Sequence, residues 1–145
     1  MQKTFAGRNS SVFVLDTNTL IYFFKSAGGV AQHLLATPPK DVAIPALVLY
    51  ELEVGIAKSS QSSRRRAQLD ELAAAVSVLP FDQPAARSAA EIRAKLERQG
   101  KGIGPAVCTF DTLIAGTALA NGGVLVTHNT KEFSRVAGLR LVDWF

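Results

Sequence analysis

The sequence has one cysteine, Cys108, and two histidines, His33 and His128, in 145 residues. A lone cysteine excludes an intrachain disulfide, and no metal-spaced Cys/His set exists, which argues against zinc. No apolar run approaches the ~20 residues needed to span a bilayer. The opening "MQKTFAGRNSS" lacks the apolar segment of a signal peptide. Together these absences lead us to expect no membrane association and a cytoplasmic location. Charge is sparse at 19%, yet hydrophobic content is 48%, so the composition is that of a globular chain and not a disordered one. The net charge of +4 permits a nucleic-acid partner without establishing one. With no internal repeat and no linker, a single domain over 1–145 is expected, with 1–11 as a polar tail.

What is present alternates between short apolar runs and helical patterns. Residues 12–15, 41–45, 77–81, 124–127 and 139–143 read as strands. Helices are expected over 17–27, 30–37, 46–59, 62–76, 84–99 and 109–121, with a short one before the last strand. The strands are short and continuously apolar, as when both faces are covered. This predicts an α/β fold with a short central parallel sheet flanked by helices in three layers. "GKGIG" (100–104) lacks the lysine and hydroxyl arrangement of a P-loop and reads as a loop.

Acids fall at informative places. Asp16 directly follows the first strand, in "VFVLDTNTL", and Asn129 follows "VLVT" by one residue. Parallel strands bring both to one carboxyl edge, where α/β proteins place their chemistry. Glu51 and Asp111 stand in otherwise apolar helical segments, where a charge is costly unless paired or bound to a cation. Clustered carboxylates raise one another's pKa values. Mg²⁺ relieves such repulsion, takes oxygen ligands, polarises phosphates and lowers the pKa of a bound water.

Each residue also has a plainer role. Asp16 can be a helix N-cap. Glu51 can lie on a solvated stripe with Glu53 as its competitor, although Gly55 suggests a close approach beside Glu51. Asp111 can be a first-turn acid favoured by the helix dipole, with Thr109 as cap. Asn129 and Glu132 have the spacing of a capping box. Arg64, Arg65 and Arg66 read as a solvated helix start that could meet RNA phosphates. His33 reads as structural, and His128 as a neighbour of the site without a role in it. No nucleophile-elbow sequence supports Ser-His-Asp chemistry.

"LDTN" after a strand, "YELEVG" on a helix, "DTLIAGTALANG" and "LVTHNTKEF" followed by "VAGLRLVDWF" resemble the PIN-domain ribonucleases, above all the VapC toxins of bacterial toxin–antitoxin pairs. The motifs occur in order from about residue 12 onward. The resemblance implies an endoribonuclease with Mg²⁺ or Mn²⁺ held by Asp16, Glu51 and Asp111. Asn129 then stands where a fourth acid is often found, Asn18 and Thr127 are supporting polar groups, and Glu132 is an outer acid. It also implies an RNA substrate, with transfer RNA favoured, a small VapB-like antitoxin and a homodimer. The run "IGPAVCTFD" is longer than the family's usual approach to the third acid. Two rivals are an aspartyl phosphatase of the haloacid dehalogenase type and a non-catalytic RNA-binding PIN scaffold. Asn18 where the phosphatase has a second aspartate argues against the first, and the three retained acids argue against the second.

Overall fold

A computed structural model of the chain describes residues 11–100 and 109–145. Most of the expected polar tail, most of the "GKGIG" run and Cys108 lie outside the described residues. In chain order the elements are β1 (Phe13–Leu15), α1 (Thr17–Phe24), α2 (Val30–Ala36), β2 (Val42–Pro45), α3 (Ala46–Ala57), α4 (Ser62–Ala75) and β3 (Ser77–Leu79). Then come α5 (Gln83–Arg98), α6 (Thr109–Ala120), β4 (Val124–Val126), α7 (Thr130–Phe133) and β5 (Arg140–Val142). The five strands form one sheet in the order β3-β2-β1-β4-β5. Every pairing is parallel. The expected three-layer α/β architecture is the one observed.

The sheet order has a functional consequence. From β1 the chain adds β2 and β3 on one side, then crosses to place β4 and β5 on the other. The switch point is therefore the cleft between β1 and β4. Ligands of open α/β sheets bind outside the carboxyl ends of the strands at such a point.

The three central strands carry the core. Val14, Leu15, Val42, Ile44, Leu125 and Val126 are at most 1% exposed. Burying each such side chain contributes roughly 1.5–3 kcal/mol before the entropy of ordering is counted. Full coverage does not extend to the edges. Ser77 and Val78 of β3 are exposed, as is Arg140 of β5. The expectation of strands buried on both faces is corrected there, because an edge strand has a neighbour on one side only.

Helix α1 ends three residues before the expected boundary. Ser26 adopts a left-handed conformation with φ of 55°. The Ala27 N–H donates to the Tyr22 carbonyl and the Ser26 N–H to that of Phe23, which is a Schellman closure. Helix α6 lies tight against α5 because Gly116 has no side chain. A Cβ there would stand 2.6 Å from that of Ala89.

Candidate active site

Asp16 leaves β1 at the switch point and is buried at 5% exposure. Its Oδ1 accepts the Thr19 N–H at 2.8 Å, so it caps α1. The capping role and the sheet-edge role coincide in one side chain. Asp16 N–H donates to the Val126 carbonyl at 3.2 Å, and Thr19 Oγ1 donates to the same carbonyl at 3.0 Å. These two bonds fasten the start of α1 to the end of β4, and so fix the position of the carboxylate.

Glu51 reaches the same region from α3. The Thr17 hydroxyl donates to Glu51 Oε1 through a short hydrogen bond, which holds the glutamate beside the residue that follows Asp16. Glu53 points elsewhere and pairs with Arg66 at 2.7 Å, both side chains being exposed. The reason expected for choosing Glu51 is corrected: among the described residues, a Cβ on Gly55 would meet nothing within 4 Å. Thr17, not the glycine, distinguishes Glu51 from its competitor.

Asp111 lies in the first turn of α6, as the sequence predicts. Its pKa is raised to about 6, first by burial, then by the negative charges of Asp16, Glu51 and Glu132. Three acids from three other elements thus act on one carboxyl group. Asp111 and Glu132 line one small cavity with Thr112 and Arg135. Arg135 donates to both carboxylate oxygens of Glu132, at 3.3 and 3.0 Å.

Asn129 stands before α7 at the end of the β4 connection, but its side chain makes no capping bond. The expected capping box with Glu132 is therefore absent, and Glu132 is directed to Arg135 instead. Asn129 is exposed, and its backbone N–H donates to Oγ1 of the buried Thr127 at 3.0 Å. Asn18 is exposed and its side chain makes no hydrogen bond to a described residue. Thr17 and Thr19, which are not among the expected site residues, make the contacts at this turn. Their signal was the pair of hydroxyls in "DTNT".

The arginines divide. Arg66 is paired with Glu53, and Arg65 donates to the Phe24 carbonyl and Gln68. Arg64 is exposed. His33 stacks on Trp144 with ring centroids 5.7 Å apart, in keeping with a structural role. His128 pairs with Asp143 at 2.9 Å.

The donor chemistry suits a hard divalent cation: the acids are oxygen ligands, desolvated and mutually repelling. Among the described residues, no three His, Cys, Asp or Glu side chains are grouped closely enough to hold an ion together. Mg²⁺ commonly keeps several waters and takes only one or two carboxylates directly. The acids therefore fit that ion without forming a closed all-protein cage.

Residues 13–139 match the PIN domain family. The chain is 38% identical over 132 residues to the tRNA(fMet)-specific endonuclease VapC of Shigella flexneri, spanning 91% of this chain and 97% of that protein. It is 32% identical to Ribonuclease VapC2 of Rickettsia felis, spanning 92% of this chain and 98% of that one. Among solved structures, the DNA-bound VapBC of Salmonella typhimurium superimposes with a TM-score of 0.82 at 34% identity. That match spans 93% of this chain and 99% of the matched chain. VapBC2 of Rickettsia felis on a promoter DNA fragment gives 0.81 at 31% identity, spanning 92% and 99%. In motif order, sheet topology and sequence, this chain belongs to the PIN-domain family, in its VapC-type branch.

Proposed function

We propose that the chain is a metal-dependent endoribonuclease and the toxin of a toxin–antitoxin pair. The observation that carries this reading is the action of Asp16, Glu51 and Glu132 on Asp111 at the switch point of a parallel sheet. Relatives that bear the names of a tRNA-specific endonuclease and a ribonuclease support RNA as substrate and transfer RNA as its class. Structural neighbours solved as VapBC complexes support a VapB-like antitoxin as partner. A homodimer and a cytoplasmic location complete the proposal. No helix among the described residues is long and apolar enough to cross a membrane.

Asp16, Glu51 and Asp111 would hold Mg²⁺ or Mn²⁺, directly or through water. When bound, that ion supplies a Lewis acid for the phosphodiester and lowers the pKa of a water for in-line attack. The chain's own residues do the rest. Thr19 and Val126 fix Asp16 at the cleft. Thr17 orients Glu51. Asn129 would orient a water or a ligand carboxylate. Arg64 is exposed and offers a cation for RNA phosphates.

The test is sequencing of RNA 5′ ends after brief induction of the protein, beside an Asp16→Ala control. New ends confined to a few sites in the parent and absent from the control are expected. Identical end profiles in the two would overturn the proposal.

A further inference from the structure

The segment Asp143–Phe145 wraps around the turn that carries Asn129. His128 Nδ1 and Asp143 Oδ2 are 2.9 Å apart. The second Asp143 oxygen, Oδ1, accepts the Phe145 N–H at 2.9 Å. Burial, the largest single influence, pushes the Asp143 carboxyl up, but the Phe145 N–H, the His128 hydrogen bond and the neighbouring imidazole together outweigh it and hold the carboxyl below its usual pKa. The Phe145 ring stacks on His128 with centroids 4.3 Å apart and planes at 23°. Tyr22 of α1 meets the edges of both rings, at 4.8 Å from Phe145 and 5.9 Å from His128.

The far side of Phe145 is equally defined. Its carbonyl accepts the Gly29 N–H. Gly28 has φ of +61°, and a Cβ there would stand 2.6 Å from the Phe145 carbonyl oxygen. Thr127 N–H donates to the Val142 carbonyl at 3.0 Å. The β4–α7 turn is thus tied to the Asp143–Phe145 segment at Thr127 and at His128, and through Phe145 to the α1–α2 turn. The remaining residue of that turn is Asn129, whose backbone N–H donates to Thr127 Oγ1 and whose carbonyl accepts the Phe133 N–H at 3.2 Å, while its side chain makes no capping bond.

We propose that the His128–Asp143 pair, covered by Phe145, is the positioning device that sets Asn129 at the active site. The proposal rests on the nuclease reading above. His128 acts through Asn129 and is a positioning residue. A half-exposed ion pair between two surface side chains adds little stability by itself. Two aromatic contacts and a carboxylate with both oxygens engaged instead restrict one short turn. Outer groups that orient a site residue typically carry 10–100-fold effects on activity.

Four variants of the whole chain test this with Mg²⁺ present: His128→Ala, His128→Asn, Asn129→Ala and the double variant His128→Ala with Asn129→Ala. An asparagine amide can occupy the place of Nδ1 and donate to Asp143. We expect His128→Ala to lower kcat by about 10-fold with KM unchanged, and His128→Asn to restore most of it. In the Asn129→Ala background, His128→Ala should have little further effect. Amide hydrogen exchange at Asn129 should quicken in His128→Ala and return toward the parent in His128→Asn, a readout independent of cleavage. Parent-like kcat and exchange in His128→Ala would overturn the proposal, as would a full additive loss in the Asn129→Ala background. If the parent itself did not cut RNA, the nuclease reading would fail instead, and the exchange data would still decide the positioning role.

Discussion

The Thr17 hydroxyl donates a hydrogen bond to Glu51, a residue 34 positions later on another helix. This one bond joins the turn after β1 to α3 and brings the second acid to the first. Replacing Thr17 by valine keeps the shape and removes the donor. We expect Thr17→Val to fold and to lose about 10–100-fold in cleavage, while Thr17→Ser keeps most activity. Single-turnover rates on an RNA substrate, with circular dichroism as the fold control, check this.

Asp16 combines two roles, and two substitutions separate them. Asparagine caps helices as well as aspartate, whereas alanine at an N-cap costs about 1 kcal/mol. Asp16→Asn should therefore melt near the parent, and Asp16→Ala should melt lower. Both should fail to cut. Thermal melts beside cleavage assays would expose an error if Asp16→Asn remained active.

The pKa of Asp111, raised to about 6, makes stability depend on pH. The native state holds this proton more tightly than the unfolded chain, whose aspartates titrate near 3.9. In metal-free buffer the fold therefore loses stability as pH rises from about 4 through about 6, and the loss is constant above. Asp111→Asn should match the parent at the acid end and melt higher at neutral pH. Added Mn²⁺ should raise the parent's melting temperature at neutral pH and leave that of the variant nearly unchanged. Melting curves across pH, with and without Mn²⁺, measure both.

Glu51 and Glu53 give a paired control. Glu53 makes only an exposed ion pair with Arg66, of a kind worth roughly 0–1 kcal/mol. Glu53→Gln should cut RNA like the parent. Glu51→Gln should cut poorly while keeping its fold. Equal activity in the two would mean that the second acid is misassigned.

Much of this was legible in the sequence, because the information was local. The short apolar runs at 12–15, 41–45 and 124–127 read as strands covered on both faces, which puts Asp16 at their carboxyl edge. Asp111 fell in a first turn because α6 starts at Thr109. What depended on distant partners was not legible. Nothing in "SVLPF" marks β3 as an edge strand, since that depends on the order of strands in the sheet. The contact between Thr17 and Glu51 crosses two helices. Gly55 suggested a close approach that is not there, because a glycine in a sequence does not say whether its missing side chain would meet anything. The capping box spelled by Asn129 and Glu132 gave way to Arg135, a competing cation three residues beyond Glu132.

The most direct measurement is cleavage of purified transfer RNA by metal-free protein, titrated with Mg²⁺ and then chelated with EDTA, for the parent and Asp16→Asn side by side. The account predicts no cutting without the ion, saturable cutting by the parent as Mg²⁺ is added, abolition on chelation, and no cutting by Asp16→Asn at any concentration. Undiminished cutting by the parent in exhaustively chelated buffer, or cutting by Asp16→Asn at the parent's rate, would contradict it.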